Sequence, residues 1–204
     1  MGIFFSLLYF TTGFKRIAVP AVAAAVFLYY MLKRLKPRQV WRMASFIALM
    51  VGIIAYIYLY TIKSGLFVRT AKELGIDLMY RDILYNYFAD FFELTPNYLG
   101  KGIRFIYAFT TEDPSYTLAT TAVHNAFLEF YLEIGFWCWW IWILHEIGGI
   151  AHRIQKRFNA ECASAMLAMS VYVFLTFLTD NTTFYYPINV MYRMTIMTWC
   201  YETM

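Results

Sequence analysis

The chain has 204 residues, of which 61% are hydrophobic, 21% aromatic and only 15% charged, and its mean hydropathy is +0.52. That balance excludes an ordinary water-soluble domain, because the apolar residues gather in runs long enough to cross about 30 Å of hydrocarbon at 1.5 Å per residue. The formal charge of +4 is modest, unevenly placed and accompanied by no nucleic-acid motif, so it excludes a nucleic-acid binder and reads as a topology signal.

In chain order, Gly2 to Phe10 is apolar but is followed by no small-residue cleavage site. It reads as part of a helix rather than as a removable signal peptide. The first clear span is residues 17–32, with Pro20 near its start, where a missing N–H is tolerated. The second, residues 43–60, carries no charge. Residues 61–120 then form a long polar connection, and a connection of that length is functional or forms a small subdomain of its own. Within it, Asp82 to Leu94 places Ile83, Tyr87, Asp90 and Leu94 at helical spacing among aromatics, as an interfacial helix would.

A third span covers residues 122–144. Its polar first half holds His124, Asn125, Glu129 and Glu133, and its second half holds the WCWWIW run, read as lipid-facing and interfacial packing. Residues 162–179 and 187–201 complete the set, the latter interrupted by Arg193, with Asp180 to Thr183 as the turn between them. The expected fold is all-α: a single membrane domain over residues 1–204, a polytopic bundle of about five spans plus an N-terminal partial helix. Its one long loop carries short amphipathic helices. Cys138, Cys162 and Cys200 sit in apolar runs without metal or redox spacing and read as packing residues.

Orientation follows the basic residues. Lys33, Arg34, Lys36, Arg38 and Arg42 fill one short connection, and Arg153, Lys156 and Arg157 another, so both are expected in the cytoplasm. The long loop offsets its own basic residues with Glu73, Asp77, Asp82, Asp90, Glu93, Glu112 and Asp113, and is expected outside.

The chemistry-bearing residues concentrate in that loop. Arg81 precedes the aromatic helix, Gly100-Lys101-Gly102 marks a sharp turn, and His124-Asn125 enters the third span. At a helix start, positive potential favours an uncharged imidazole, the form a general base needs. Asn125, Glu129 and Glu133 follow at four-residue steps on one helix stripe, suited to holding hydroxyls or orienting the histidine. Structural alternatives stand beside each: Lys15 and Arg16 as interfacial anchors, Arg81 as a solvated charge, His124 as a helix-entry residue, the glycines as a turn. Glu129 and Glu133 also suit an ion pair with Arg193.

This ordered set resembles the C-terminal core of the O-antigen ligase and oligosaccharide repeat-unit polymerase family of bacterial envelope glycan assembly. The resemblance runs through Thr12-Gly13-Phe14-Lys15-Arg16, Met79-Tyr80-Arg81-Asp82, Pro96-Asn97-Tyr98-Leu99-Gly100-Lys101-Gly102, His124-Asn125 with Leu128, and Glu133-Ile134-Gly135. It covers residues 10 to 200. Two features depart from the family: Met79-Tyr80 stands where members have Ser-Gly, and members have about twice as many spans, so the chain is expected to be a C-terminal portion.

The resemblance implies glycosyl transfer from an undecaprenyl-pyrophosphate-linked oligosaccharide to a glycan acceptor, in the bacterial inner membrane, without metal or cofactor. Arg81 and His124 would be catalytic. Arg81 and Lys15 or Arg16 would neutralise the pyrophosphate leaving group, and His124 would take the acceptor's proton. Lys101, Arg104, Asn125, Glu129, Glu133 and Arg193 would contribute to substrate binding. Implied partners are membrane lipids and chain-length regulator proteins, with no nucleic acid. Polymerase and ligase differ only in acceptor and are not separated. A non-catalytic transport or scaffolding role is the rival reading, in which intramembrane acids and Arg193 line a conduit.

Overall fold

The computed structural model describes residues 18–78, 80–112, 116, 123–178 and 186–202. The regular elements among the described residues are all helices, with no strand. They divide into two compact units, one of residues 1–48 and 145–204 and the other of residues 49–144.

In the first unit, α1 (Ala18–Lys33) lies along α8 (Ala160–Thr176). Lys33 pairs with Glu161 at 2.7 Å, and the Tyr29 hydroxyl donates to the same carboxylate at 2.9 Å. A tight turn leads to α2 (Pro37–Lys63), which opens as helix chemistry prescribes: proline takes the first helical position, and the Gln39 side chain reaches back to accept from the Lys36 amide at 2.8 Å. A π turn (His145–Gly149) precedes α7 (Ile150–Arg157). There Gly148 sets its backbone against α2, with a Cβ-sized space only 3.3 Å from the Ala48 methyl. Asn159 caps α8 by accepting from the Cys162 amide. α9 (Tyr186–Glu202) closes a core of Val40, Ile154, Cys162, Met166, Ile196 and Cys200. The two short basic connections lie at one end of this unit: Gln155 donates to the Pro37 carbonyl at 2.7 Å, and Trp41 stacks on His152 with centroids 3.9 Å apart.

The second unit holds the rest of α2, then α3 (Leu66–Glu73), α4 (Arg81–Ala89), α5 (Phe105–Glu112) and α6 (Ala126–Leu144). The aromatic helix expected over Asp82 to Leu94 is therefore shorter. Its buried face is Leu84, Tyr85, Phe88 and Ala89, whereas Ile83 and Asp90 face outward. Packing against α2, α3 and α5 decides this, since aromatic side chains occur on both faces and periodicity alone does not choose.

α6 departs most from expectation. Gly135 has φ 73 and ψ −178, which interrupts the helix. Phe130 and Trp142 would stand roughly 18 Å apart along a straight helix, yet their rings stack at 4.4 Å. The Trp139 indole also donates to the Phe127 carbonyl. Residues 126–134 thus fold back against residues 136–144, where a single continuous span was expected. Trp139 is 0% exposed, so the tryptophan run is partly core rather than wholly lipid-facing; only Trp137 is well exposed.

Two helices, Pro37–Lys63 and Ala126–Arg157, are long and apolar enough to cross a membrane. The second of these contains the break at Gly135. Pro20–Lys33 and Ala160–Thr176 are shorter apolar helices. The N-terminal partial helix and the Asp180 to Thr183 turn lie outside the described residues.

Candidate functional site

A broken helix frees backbone groups that must find partners elsewhere. Here the loop at Tyr98 to Gly102 supplies them. The Lys101 amide donates to the Leu132 carbonyl at 2.8 Å, the Gly102 amide to the Glu133 carbonyl at 3.0 Å, and the Phe136 amide to the Tyr98 carbonyl at 2.9 Å. The Tyr98 hydroxyl adds a bond to the Leu132 carbonyl at 2.9 Å. Only glycines fit the crossing. A Cβ on Gly100 would lie 2.4 Å from the Glu133 carbonyl oxygen, and one on Gly135 would lie 2.3 Å from the Leu99 carbonyl carbon; both residues have positive φ. Gly100-Lys101-Gly102 is therefore a backbone clasp on α6.

Glu133, at the clasp, is buried, and its carboxylate accepts from the backbone amides of Arg104 and Ile106. These are the leading amides of α5, so an acid from α6 caps a helix remote in sequence. The Arg104 guanidinium is exposed and lies over the Tyr107 ring at 4.8 Å. Lys101 is exposed between Leu99 and Ile103, each 81% exposed.

The first arm of α6 begins at Asn125, which is 0% exposed. Its carbonyl oxygen accepts from the Leu128 amide at 3.1 Å, and its amide nitrogen donates to the Tyr85 hydroxyl at 3.3 Å. Tyr85 in turn meets the Tyr58 hydroxyl of α2 at 3.5 Å. Arg81, one turn before Tyr85 on α4, is half-buried, and its positive charge acts on both tyrosine hydroxyls. Burial pushes the Tyr85 phenol up from its ordinary value, and the protonated hydroxyl accepts from Asn125 and meets Tyr58. Asn125, Tyr85 and Tyr58 thereby form one polar network inside one unit, within reach of the Arg81 charge.

His124, next to Asn125, is half-buried with φ 53. The non-glycine residues with positive φ among the described residues are Tyr80, Arg104 and His124. They stand immediately before α4, α5 and the Asn125 cap of α6, and the expense of such conformations is held by the surrounding structure. Glu129 is half-buried on the same arm, with one carboxylate oxygen fully enclosed and without a hydrogen-bond partner among the described residues.

Of the remaining expected site residues, Arg193 belongs to the other unit, where it pairs with Glu146 rather than with Glu129 or Glu133. Lys15 and Arg16 lie outside the described residues. Among the described residues no three His, Cys, Asp or Glu side chains gather as metal ligands would. Tyr58, Tyr85, Tyr98 and Gly135 carry the geometry without having been singled out by sequence reasoning for these contacts. Two of them left a signal: Tyr85 lies four residues after Arg81 on a helix, and Gly135 interrupts an apolar run.

Chemically, the buried amide and phenol are engaged with one another, while the half-buried Arg81 guanidinium and His124 imidazole stand at the margin of the network. No family model, no curated protein and no solved structure matches this chain.

Proposed function

We propose that the chain is a metal-independent membrane glycosyltransferase module of cell-surface polysaccharide assembly, which transfers or polymerises an undecaprenyl-pyrophosphate-linked oligosaccharide. The observation that carries this reading is the network of Tyr85 and Asn125, within reach of the Arg81 charge and beside His124. Arg81 stabilises the pyrophosphate as it leaves, because a guanidinium fork pairs two phosphate oxygens at once. His124 accepts the proton of the attacking acceptor hydroxyl, and Asn125 fixes the backbone that presents it. Glu129 supplies a carboxylate for sugar hydroxyls. Lys101 and Arg104, flanked by the exposed Leu99, Ile103 and Tyr107, meet lipid phosphates at the headgroup level, where a polyprenyl carrier arrives.

In this reading five helices cross the bacterial inner membrane, the three apolar helices after α2 and the two before α3 included, with the long loop outside. Lys15, Arg16 and Arg193 keep the substrate-binding role that the resemblance implies. Lipid-linked donor, glycan acceptor and chain-length regulators are the partners.

The test is in-vitro transfer by the full chain, supplied with undecaprenyl-pyrophosphate-linked repeat units and followed by product length on gels. His124→Ala and Arg81→Ala are each expected to lower the rate by about 10²-fold or more, with helicity unchanged. Undiminished product from folded His124→Ala protein overturns the mechanism.

The rival reading, transport or scaffolding, draws on the broken α6, since transporters use interrupted helices to coordinate ions. At this break, however, the Leu132 and Glu133 carbonyls already accept from the Tyr98 to Gly102 loop. That favours a structural clasp over an ion site.

A further inference from the structure

At the basic end of the first unit, α7, α8 and α9 enclose a cavity of about 310 Å³. Its volume lies at the lower end of small-molecule sites, roughly 300–1,000 Å³. On α7, Ile150, Arg153, Ile154 and Arg157 follow at helical spacing, so two guanidiniums share one stripe with two isoleucines. Arg193 enters from α9, and Met166 and Met197 complete an apolar lining.

The charges around this cavity do not cancel. Glu146 pairs with Arg193. Arg153 contacts a ring nitrogen of His145, and Arg157 donates to the Tyr201 hydroxyl at 3.4 Å and lies by the Phe158 ring. Neither of those two partners is a carboxylate. Among the described residues, three guanidiniums against one acid, over an apolar floor, make a lining that neither water nor a purely apolar tail satisfies. An amphiphile with a phosphate head satisfies both parts, since guanidinium pairs phosphate oxygens and the methionine and isoleucine side chains cover acyl carbons.

We propose that this cavity binds the phosphodiester headgroup and first acyl carbons of an anionic phospholipid. The inference rests on the chain's membrane location and is independent of glycosyl transfer. A free phosphate shares the head chemistry but leaves the apolar floor unused, so the two sources are separable.

The experiment uses the full chain purified in a neutral detergent. Its thermal unfolding is followed with added phosphatidylglycerol, phosphatidylcholine or inorganic phosphate. Phosphatidylglycerol is expected to raise the Tm in a saturable manner, and the other two to leave it in place. An Arg153→Gln, Arg157→Gln double variant should need at least about tenfold more phosphatidylglycerol for the same shift. Met197→Trp, which fills the floor and keeps every charge, should weaken the shift as well, and it serves if the double variant does not fold. Equal stabilisation by phosphatidylcholine overturns the proposal, as does inorganic phosphate matching the lipid. A phosphatidylglycerol response unchanged in whichever variants fold overturns it too.

Discussion

Gly100 and Gly135 meet face to face, and the space between the two backbones leaves no room for a methyl group on either. Replacing either with alanine adds a left-handed backbone penalty of about 1–2 kcal/mol to a backbone collision that no side-chain rotation relieves. Gly100→Ala and Gly135→Ala should therefore each lower the Tm sharply in detergent. Gly75→Asn should cost less than about 1 kcal/mol, because Gly75 has φ 65 but nothing within 4 Å of a new Cβ. Equal losses at all three positions would show that backbone strain, rather than the crossing, sets the requirement.

Tyr98 belongs to the same clasp, and burial pushes its phenol from 10.0 up to about 12. The unfolded chain ionises first as pH rises, so the stability contributed here is complete below pH 10 and is lost as pH climbs towards 12. Tyr98→Phe should flatten that part of the pH–stability profile while lowering stability at neutral pH, read from denaturation midpoints. At this scale the sequence was legible for glycine's role as a turn and for Asn125 as a helix-entry residue. It was silent on which backbone the glycines touch, because residues 100 and 135 are brought together only by the tertiary fold.

At the scale of elements, charge-free length made residues 43–60 legible as a helix, whereas the start of α2 at Pro37, with the Gln39 contact, was not. α6 was legible as apolar and illegible as broken. A lone glycine inside an apolar helix is ordinarily tolerated at about 1 kcal/mol, so nothing local announces the bend. The same distance effect hid the role of Glu133. Its spacing from Glu129 and Asn125 fits a polar stripe, whereas its contacts are the leading amides of α5, some thirty residues earlier. Glu133→Ala should therefore loosen α5: amide exchange over residues 104–112 is expected to rise roughly tenfold, equivalent to about 1.4 kcal/mol of lost cap. Glu133→Gln, which keeps an acceptor, should give a smaller rise. Protection of α5 unchanged in Glu133→Ala would remove the carboxylate from its capping role.

For the whole molecule, the charge pattern was the informative signal. It grouped the connections at Lys33 to Arg42 and Arg153 to Arg157, and the structure brings these together at one end of the first unit through Pro37, Gln155, Trp41 and His152. Hydropathy grouped the apolar runs but gave no sign of the two-unit division, which depends on contacts distant in sequence. The proposed sidedness is testable with single cysteines in a variant lacking Cys138, Cys162 and Cys200. A membrane-impermeant maleimide should reach residue 102 in intact cells and residue 37 only after permeabilisation. The opposite pattern would invert the topology.

The fold of α6 bears on how the protein is made. A run as apolar as residues 126–144 emerges from the ribosome with every property of a stop-transfer segment, and an insertion machinery that reads hydrophobicity would release it as one rod. Its partner loop, Tyr98 to Gly102, precedes it in the chain. Closing the hairpin at Gly135 therefore depends on that loop, which supplies the partners for the backbone groups freed at the break.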